Sequence, residues 1–584
     1  MTNHSRLLWI LALVFLAGCT ALSLQRLEER YGSLEVRDRQ VDEVAVSQVD
    51  YWSEVEPIIE KRCVACHACY DAPCQLKLNS IEGIERGGSP AVVNQQSRLK
   101  KAPTTRLFED AHSVAEWRDK GFHPVLNEFD GTLEANREVG VMYRLLELKE
   151  ANPLGEGKLL ADEFTLSLSR KEFCAKSQTL VGYERKHPMW GMPYALPALE
   201  ENEAQILLRW LEQGATYTPR PGLSEKITNE IARWEVFLNE ETLKAQLSAR
   251  YIYEHLFLAH LYFPNIDQRK FFRLVRSATP PGRPVEIVAT RRPYNHPGVD
   301  RVYYRLVEEL ESVVSKTHMP YALDTALLTR WHGWFVDADY TASALPSYED
   351  EFASNPFVTF AQLPVDSRYK FLLERARFTI QSFIKGPVCR GQVALNVIND
   401  NFWVFFLKPD QRRIEYIENF LALYESEFEL PASTESIYRP ITHWRRYAKQ
   451  QQDRLAALDL YLAEIIKNPK DMSLDMIWDG DGTNDNAALT VFRHFDSATV
   501  TKGLVGRPPK TAWVLGYSLL ERIHYLLVAG FNVYGNLVHQ VNTRIYMDFL
   551  RMEGEDHFLI FLPAGQRKAI RDTWYAGLRT GEEE

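Results

Sequence analysis

The sequence lacks a basic excess and, beyond its first residues, a long hydrophobic run. Lysine and arginine number 68 against 78 aspartates and glutamates, which gives a net charge of −10 at pH 7. Proteins that bind phosphate backbones carry a positive excess, so we expect no nucleic-acid partner. Crossing a bilayer takes about 20 consecutive apolar residues, and no stretch after residue 19 approaches that length. The mature chain is therefore expected to meet a membrane surface only through a local patch or an anchor.

Cysteine is scarce, with 7 among 584 residues, yet two cysteines stand in one short motif. The sequence Cys-Val-Ala-Cys-His at Cys63–His67 has the spacing of a c-type haem attachment site. Two thiols on one turn of chain can bond to the two vinyl groups of a single haem, and the adjacent imidazole then binds the iron. The motif predicts one covalent haem c, held by Cys63 and Cys66, with His67 as the proximal iron ligand.

Two further cysteines, Cys69 and Cys74, follow the motif closely. One alternative is therefore a set of four thiolates, together with the two in the motif, that binds zinc or an iron–sulfur cluster. If the motif holds haem, Cys69, Cys74, Cys174 and Cys389 remain for disulfides, which an oxidising compartment permits. Cys69 and Cys74 could then close a small loop, but the sequence does not determine which cysteines pair.

Residues 1–19 have the pattern of an export signal. Arg6 precedes an apolar run over 7–17 that is too short to cross a bilayer comfortably. The segment Leu16-Ala17-Gly18-Cys19 resembles a bacterial lipobox, in which Cys19 is lipidated and becomes the new N-terminus. An ordinary cleaved signal peptide is the alternative. Both interpretations predict a periplasmic protein, and the lipobox interpretation adds a lipid anchor at Cys19.

After a charged tether over 20–48, residues 49–217 are predicted to form a cytochrome c-like haem domain that carries a large insertion. A Met-Pro segment at Met192 is followed by an amphipathic helix over 200–213, which Gly214 ends. Class I cytochromes c end similarly, with a methionine loop that supplies the sixth iron ligand. Met192 is the predicted distal metal ligand. Met189 is the alternative ligand. A second alternative is that Met192 binds no metal and only packs in the core.

Residues 218–223 contain two prolines and predict a linker to a larger domain over 224–584. Apolar residues recur at three and four spacing between Ile227 and Phe263, which predicts long helices with a stripe that faces the core. Short apolar runs at 285–289, 402–407 and 558–562 predict strands. The expected fold is mainly α: a cytochrome c-like haem domain with an insertion, followed by a larger mostly helical domain with a small β-sheet.

Four polar side chains interrupt the apolar pattern between 249 and 263, namely Arg250, Glu254, His255 and His260. One interpretation places some of them against haem or a lipid headgroup. A buried helix whose polar groups are paired is favoured, because buried polar groups are normally hydrogen-bonded.

Two stretches of the second domain, Gly386–Gly391 and Asn486–Ala498, resemble segments of a known protein family. With the leader and the Cys63–His67 motif, they resemble the periplasmic haem-containing fatty acid cis/trans isomerases over essentially the whole mature chain. The resemblance implies that cis double bonds in the acyl chains of membrane phospholipids become trans without moving, which reduces membrane fluidity under stress. It implies haem as the only cofactor, cis-unsaturated fatty acids or phospholipid acyl chains at a membrane surface as partners, and His67 as the catalytic residue.

The residues alone leave a different class of protein open. A periplasmic electron-transfer or haem sensor protein would carry the same motif, with a second domain that binds a partner. Formation of trans product without an electron donor or acceptor would separate the two classes.

Overall fold

The computed structural model describes residues 22–45, 47–69, 72–91, 93, 105–155, 157, 159–165, 173–315, 317–386, 401–424, 428, 430, 440–465, 474–480, 488–494, 497–530 and 537–574. They form two compact units. Unit 1 consists of the described residues within Met1–Gln95, Thr104–Leu223 and Leu310–Val314, and unit 2 of those within Ser224–Glu309 and Ser315–Glu584. Helices take up about 47% and strands about 11%, which agrees with a mainly α fold.

Unit 1 is built from short helices. They are α1 (22–31), α2 (Glu56–Arg62), α3 (Val64–His67), α4 (Ile81–Arg86), α5 (Val114–Asp119), α6 (Leu133–Val139), α7 (Val141–Ala151), α8 (Leu180–Lys186) and α9 (Glu201–Glu212). A π-helical turn over Tyr51–Val55 precedes α2, and 3₁₀ turns lie at Pro73–Gln75 and Ser177–Thr179. Local capping starts several helices, because Ser80, Ser113 and Thr132 each accept the backbone N–H three residues on.

The core of unit 1 joins the segment before the cysteine motif to α9. The rings of Tyr51 and Trp210, both almost fully buried, lie 5.5 Å apart between centroids. At the end of α2, Arg62 and Lys61 donate to the Glu203 carboxylate on α9 over 2.7 and 2.8 Å. Burying a large apolar side chain contributes about 2–3 kcal/mol, so the aromatic contact contributes more than the partly exposed ion pairs.

A remote segment, Leu310–Val314, completes unit 1. Ser312 donates its backbone N–H to the Asn79 carbonyl over 2.7 Å and its hydroxyl to the Glu60 carboxylate over 2.6 Å. Val314 packs on the same core. The sequence did not predict this assignment, because the segment lies far along the chain and carries no pattern of its own.

Unit 2 combines long helices with two sheets. Its helices are α10 (Glu225–Leu238), α11 (Leu243–His255), α12 (Thr325–Phe335), α13 (Asp350–Ala353), α14 (Pro356–Thr359), α15 (Val365–Glu374), α16 (Ala376–Lys385), α17 (Gln411–Tyr424), α18 (Pro440–Ile465), α19 (Tyr517–Tyr525), α20 (Leu537–Ile560) and α21 (Ala564–Trp574). A π-helical stretch over Leu526–Gly530 continues α19, and a 3₁₀ turn lies at Leu474–Met476. None of the helices within the described ranges is long and apolar enough to span a bilayer.

The strands of unit 2 are β1 (His260–Phe263), β2 (Asp267–Ser277), β3 (Tyr303–Glu308), β4 (Pro320–Ala322), β5 (Asn401–Phe406), β6 (Ala488–Arg493), β7 (Ala498–Lys502) and β8 (Ala512–Leu515). They form two four-stranded sheets, β3-β2-β1-β4 and β7-β6-β5-β8, where one small sheet was expected. In each sheet one pair is parallel, β1 with β4 and β5 with β8. The predicted run at 402–407 corresponds to β5, whose residues Phe402, Val404 and Phe406 alternate inward as the pleat requires.

The helical pattern between Ile227 and Phe263 corresponds to two helices, because α10 ends at Asn239 and the Thr242 hydroxyl caps a new helix by accepting the Ala245 N–H. Two of the predicted strands are wrong. The run at 558–562 ends helix α20 instead of forming a strand, and 285–289 makes only a bridge to β2. Short apolar runs fit buried helices and strands equally well, so periodicity alone cannot decide between them.

Candidate functional site

The Cys63–His67 motif lies directly after helix α2. The Cys63 N–H closes the last turn of α2 onto the Ile59 carbonyl over 2.8 Å. The next turn, α3, is closed by the N–H groups of Cys66 and His67, which both donate to the Cys63 carbonyl over 3.1 and 3.0 Å. Both thiols are free; Cys63 is half-buried and Cys66 is exposed. Two sulfurs and an imidazole therefore come from one turn of chain, as haem attachment requires.

The buried ring of His67 is oriented by a neighbouring loop. Its Nδ1 lies 2.9 Å from the Leu76 carbonyl oxygen. A carbonyl only accepts hydrogen bonds, so Nδ1 carries the proton and, in the neutral ring, Nε2 carries the lone pair. The loop is held in turn because the Leu78 N–H donates to the His67 carbonyl over 2.7 Å. A backbone carbonyl on Nδ1 is a common outer partner of metal-binding histidines, because it fixes the tautomer.

The Cys63 thiol is protected in the folded chain. Burial, with smaller contributions from the charges of Cys66 and Glu203, raises the pKa of Cys63 to about 12. Because the thiolate is the form that attacks disulfides, a protonated Cys63 reacts slowly with them.

The neighbouring cysteines are disulfide-bonded. Cys74 is joined to Cys174, 100 positions away, with 5.6 Å between their Cα atoms, and Cys69 is disulfide-bonded as well. The predicted loop closed by Cys69 and Cys74 is therefore wrong. The four-thiolate alternative fails for the same reason, because zinc and iron–sulfur clusters bind thiolates and not disulfide sulfurs. Among the described residues, no group of three or more histidines, cysteines or acids is placed to hold a metal ion.

The predicted distal ligand lies in a loop seated on helix α7. The Met192 N–H donates to the Leu145 carbonyl over 2.9 Å. One residue earlier, Gly191 approaches the backbone of Lys149 so closely that a Cβ there would lie 2.4 Å from the Lys149 nitrogen. Met192 and the alternative, Met189, are both half-buried. Ligation of one iron by His67 and Met192 stays a prediction.

The motif and the methionine loop share the core of unit 1. Val64 and Ala68 from the motif segment belong to the same buried cluster as Leu146 of α7 and Leu199, which follows the methionine loop. Residues distant in sequence thus meet around one apolar interior. This arrangement brings both predicted ligand segments into one packed unit.

Two buried donors beside Gly191 have no acceptor among the described residues. The Lys149 Nζ is one, in a side chain only 1% exposed, and the Trp190 Nε1 is the other. Burial lowers the pKa of Lys149. A buried amine without an acceptor costs stability, so such groups normally face an anion or a bound ligand. Haem carries two carboxylates, which the N–H donors of Lys149 and Trp190 could bind.

This cofactor also fits the other groups of unit 1. They are the thiols of Cys63 and Cys66, the imidazole of His67 with its fixed tautomer, and the loop that carries Met192.

Unit 2 contains a buried histidine–carboxylate pair. The His255 Nδ1 lies 2.8 Å from the Tyr251 carbonyl, and its Nε2 lies 2.5 Å from the Glu521 Oε1. The Tyr251 hydroxyl donates to the other Glu521 oxygen over 2.9 Å. Burial raises the pKa of Glu521, but the interactions with His255, Arg368 and the Tyr251 hydroxyl outweigh it, so the net pKa is lowered. The Glu521 carboxyl group is thus held between the His255 ring and the Tyr251 hydroxyl.

A second histidine extends this network. The His524 Nε2 donates to the His255 carbonyl over 2.7 Å, and its Nδ1 lies 3.0 Å from the Thr379 hydroxyl. Burial, and then the His255 charge, lowers the pKa of His524 to about 4. His524 is therefore neutral, and Thr379 donates to its Nδ1. The rings of His255 and His524 stack with centroids 5.2 Å apart.

The sequence indicated one half of this network. The stretch with Arg250, Glu254 and His255 does form a buried helix with paired polar groups, because Arg250 and Glu254 bond over 2.8 Å and Tyr525 donates to Glu254 over 2.6 Å. Glu521 was missed, since it lies 266 positions from His255 within an apolar segment. The polar residues Glu521, Arg522 and His524 within a mostly apolar stretch were the available signal.

Several predicted features lie outside the described residues. They are the leader with Cys19, the loop from 387 to 391 with Cys389, and residues 486, 487, 495 and 496 of the Asn486–Ala498 stretch. These features stay predictions from the sequence.

Comparison with protein families matches residues 102–583 to the fatty acid cis/trans isomerase family. The match begins after the Cys63–His67 motif, so it rests on other residues than the haem prediction does. Neither curated proteins nor solved structures gave a match. The matched range covers most of the chain and includes nearly all of unit 2, which confirms the resemblance found in the sequence. The chain therefore belongs to the fatty acid cis/trans isomerase family and is an isomerase of fatty acyl substrates.

Proposed function

We propose that the enzyme converts cis double bonds to trans in unsaturated acyl chains, of membrane phospholipids or of free fatty acids, with one covalent c-type haem as its cofactor. One observation carries the haem assignment. The Cys63–His67 turn presents two free thiols and a buried imidazole whose Nδ1 is committed to the Leu76 carbonyl. The family match supports the reaction and the substrate class.

The residues of unit 1 have separate roles in this proposal. When bound, haem supplies an electron-withdrawing iron that weakens the C=C π bond, so that rotation occurs without net oxidation or reduction. Cys63 and Cys66 hold the cofactor, and His67 binds the metal through Nε2. The Leu76 carbonyl keeps the proton on Nδ1 and makes the opposite nitrogen more basic.

Further residues position the cofactor. The hydrogen bond to the Leu145 carbonyl holds the loop from which Met192 would supply a second ligand to the iron. Lys149 and Trp190 supply N–H donors for the carboxylates. These contacts use buried groups that would otherwise lack partners, so loading the cofactor is expected to stabilise unit 1.

The proposal locates the enzyme in the periplasm, with Cys19 as a lipid anchor. The leader supports export, and the disulfide between Cys74 and Cys174 is typical of an oxidising compartment. Because trans acyl chains pack more tightly than cis chains, the product would reduce membrane fluidity under stress.

The test is an isomerisation assay. Haem-loaded enzyme mixed with liposomes of a cis-unsaturated phospholipid, without electron donor or acceptor, should form trans chains, measured by gas chromatography. The double variant Cys63→Ala/Cys66→Ala should form none. Absence of trans product from the loaded wild type, on liposomes and on free oleate alike, would refute the isomerase mechanism. Equal product from the double variant would refute the haem assignment.

The distal ligand is tested separately. Loss of an axial thioether lowers the reduction potential of a haem and changes its visible spectrum, so Met192→Ala should do both. The matched control Met189→Ala, three residues earlier in the same loop, should leave both unchanged. The reverse result would assign the ligand to Met189.

A further inference from the structure

The ring of His67 depends on a short loop, residues 76–79, that follows the cysteine motif. Its Nδ1 donates to the Leu76 carbonyl over 2.9 Å, and the Leu78 N–H donates to the His67 carbonyl over 2.7 Å. A ring oriented by one carbonyl keeps its tautomer only while that carbonyl stays in place. The contacts that hold the loop therefore decide how firmly His67 is oriented.

The other two residues of the loop, Lys77 and Asn79, are both buried and both bind the remote segment Leu310–Val314 of unit 1. The Lys77 ammonium is paired with the Glu311 carboxylate. The Asn79 carbonyl accepts the Ser312 N–H over 2.7 Å, and the Asn79 Nδ2 lies 3.4 Å from the Ser312 carbonyl oxygen. Alternate residues of the loop thus bind the histidine and the remote segment.

Ser312 also reaches the chain on both sides of the Cys63–His67 motif. Its hydroxyl donates over 2.6 Å to the carboxylate of Glu60, which lies in the helix that leads into the motif. Its partner Asn79 donates over 3.2 Å to the carbonyl of Ala68, the residue that follows the motif. One residue of the remote segment is therefore linked to the segments that begin and end the motif.

The ion pair is the strongest of these contacts. Lys77 is only 7% exposed, and an ammonium group taken out of water needs a carboxylate close by. The Ser312 hydroxyl binds a carboxylate of the exposed residue Glu60, where water competes. Val314 adds an apolar contact, because it packs on the buried core of unit 1. Loss of Glu311 is therefore expected to loosen the loop more than loss of the Ser312 hydroxyl.

We propose that the remote segment is a positioning element for His67, with Glu311 as its main residue. By holding Lys77, Glu311 keeps the Leu76 carbonyl at Nδ1 and so reserves Nε2 for a metal. The segment lies within residues 102–583, which match the isomerase family, whereas the motif precedes that range. The matched part of the chain thus supplies a determinant of the motif's histidine. The consequence for iron rests on the proposed function, and the hydrogen bond at Nδ1 does not.

The first measurement is the exchange of the His67 Nδ1 proton with solvent, followed by NMR in the full-length protein with isotope-labelled histidine. This proton is present with or without a metal on Nε2, and its signal is identified by its loss in His67→Gln. In Glu311→Gln it should exchange about tenfold faster than in wild type, the factor that loss of a charged hydrogen bond corresponds to. Ser312→Ala should have a smaller effect in the same direction, and Ser312→Thr, which keeps the hydroxyl, should behave as wild type.

A double variant separates positioning from the cost of an unpaired buried charge. Glu311→Gln leaves the Lys77 ammonium without its carboxylate and should lower the midpoint of thermal unfolding. Lys77→Met/Glu311→Gln removes that charge and should recover the midpoint, but it lacks the ion pair and should keep the fast exchange. The matched control Glu128→Gln breaks a buried ion pair with Arg118 elsewhere in unit 1, so it should lower the midpoint and leave the exchange unchanged. Exchange at the wild-type rate in either Glu311 variant would overturn the proposal, as would equally fast exchange in the control.

The reduction potential gives an independent test once haem is attached. A carbonyl at Nδ1 makes the iron-binding nitrogen more basic, which lowers the potential. Glu311→Gln should therefore raise the potential, whereas Met192→Ala should lower it and Glu128→Gln should leave it unchanged. An unchanged potential in Glu311→Gln would refute the positioning role and leave the proposed function standing. A wild type that attaches no haem would refute the proposed function, and the exchange rate then decides the positioning role alone.

Discussion

The two units each bury a histidine whose Nδ1 faces a backbone carbonyl, and the two rings lie beside different groups. In unit 1 the His67 Nδ1 donates to Leu76 over 2.9 Å, and Nε2 is the nitrogen predicted to bind iron. In unit 2 the His255 Nδ1 lies 2.8 Å from the Tyr251 carbonyl, and its Nε2 lies 2.5 Å from a Glu521 oxygen. The first ring belongs to a cofactor attachment motif. The second is bound to a buried carboxyl group.

The comparison shows that the neighbours of a buried histidine distinguish its roles. A carboxyl group 2.5 Å from Nε2 of His255 occupies the position that a metal would need. The Leu76 carbonyl at Nδ1 of His67 assigns the predicted iron to Nε2. Haem chemistry is therefore expected in unit 1, whereas the His255 pair is expected to support stability in unit 2.

The largest expected effect is in unit 1. Cys63→Ala and Cys66→Ala should each weaken or abolish covalent haem, and the double variant should lose it completely, seen as loss of haem stain on a denaturing gel. The control Cys74→Ala/Cys174→Ala removes a disulfide outside the motif and should keep the stain. Full stain in the Cys63/Cys66 double variant would show that attachment occurs elsewhere.

The next effect tests the buried pair of His255 and Glu521 in unit 2. Glu521→Gln removes the carboxyl group that His255 and Tyr251 share, and breaking a buried pair should cost about 3–5 kcal/mol in the free energy of unfolding. The control Glu374→Gln breaks a partly exposed pair with Arg330 and should cost less than about 1 kcal/mol. Denaturant unfolding measures both. A loss below about 1 kcal/mol for Glu521→Gln would show that this pair does not stabilise unit 2.

A third prediction concerns acid. Burial lowers the pKa of His524 from 6.5 to about 4, so the unfolded chain takes up this proton at a higher pH than the folded chain. Stability is therefore unaffected above pH 6.5 and falls as the pH drops from 6.5 towards 4, by up to about 1.4 kcal/mol per pH unit.

His524→Asn should reduce that slope, measured by denaturant unfolding between pH 7 and 4.5. The exposed His494 gives the matched control, since His494→Asn should leave the slope unchanged. An unchanged slope in His524→Asn would place the acid sensitivity in other groups, of which His260 and His318 are the first to test, because burial lowers their pKa values to about 3 and 4.

The smallest expected effect comes from breaking the ion pair between α2 and α9. Hydrogen bonds from Arg62 and then Lys61 lower the pKa of Glu203 to about 2. The ion pair therefore stabilises the folded chain above pH 4.5, and this contribution is lost as the pH falls towards 2. Glu203→Gln should cost about 1 kcal/mol at pH 7 and nothing near pH 2. The exposed Glu201→Gln on the same helix serves as control, and a pH-independent cost would point to packing.

Local patterns predicted part of this fold. The helix expected over 200–213 is observed at Glu201–Glu212, because Glu200 and Glu203 form a capping box and Gly214 adopts a φ of +99° that ends the helix. Strand β5 was predicted because residues 402–407 form a short apolar run rich in aromatic residues. The strand predicted at 558–562 was wrong, because so short an apolar segment shows no periodicity that separates a strand from a helix.

The sequence by itself determined the turn that holds Cys63, Cys66 and His67, because those residues are neighbours and their spacing is local chemistry. It also indicated the family, which the match over residues 102–583 confirmed. Only the tertiary structure decided that the Leu76 carbonyl sets the tautomer of His67, that Cys74 pairs with Cys174, and that Glu521 meets His255 from 266 positions away. Such pairings depend on which segments pack around a common core, and no local pattern records that choice.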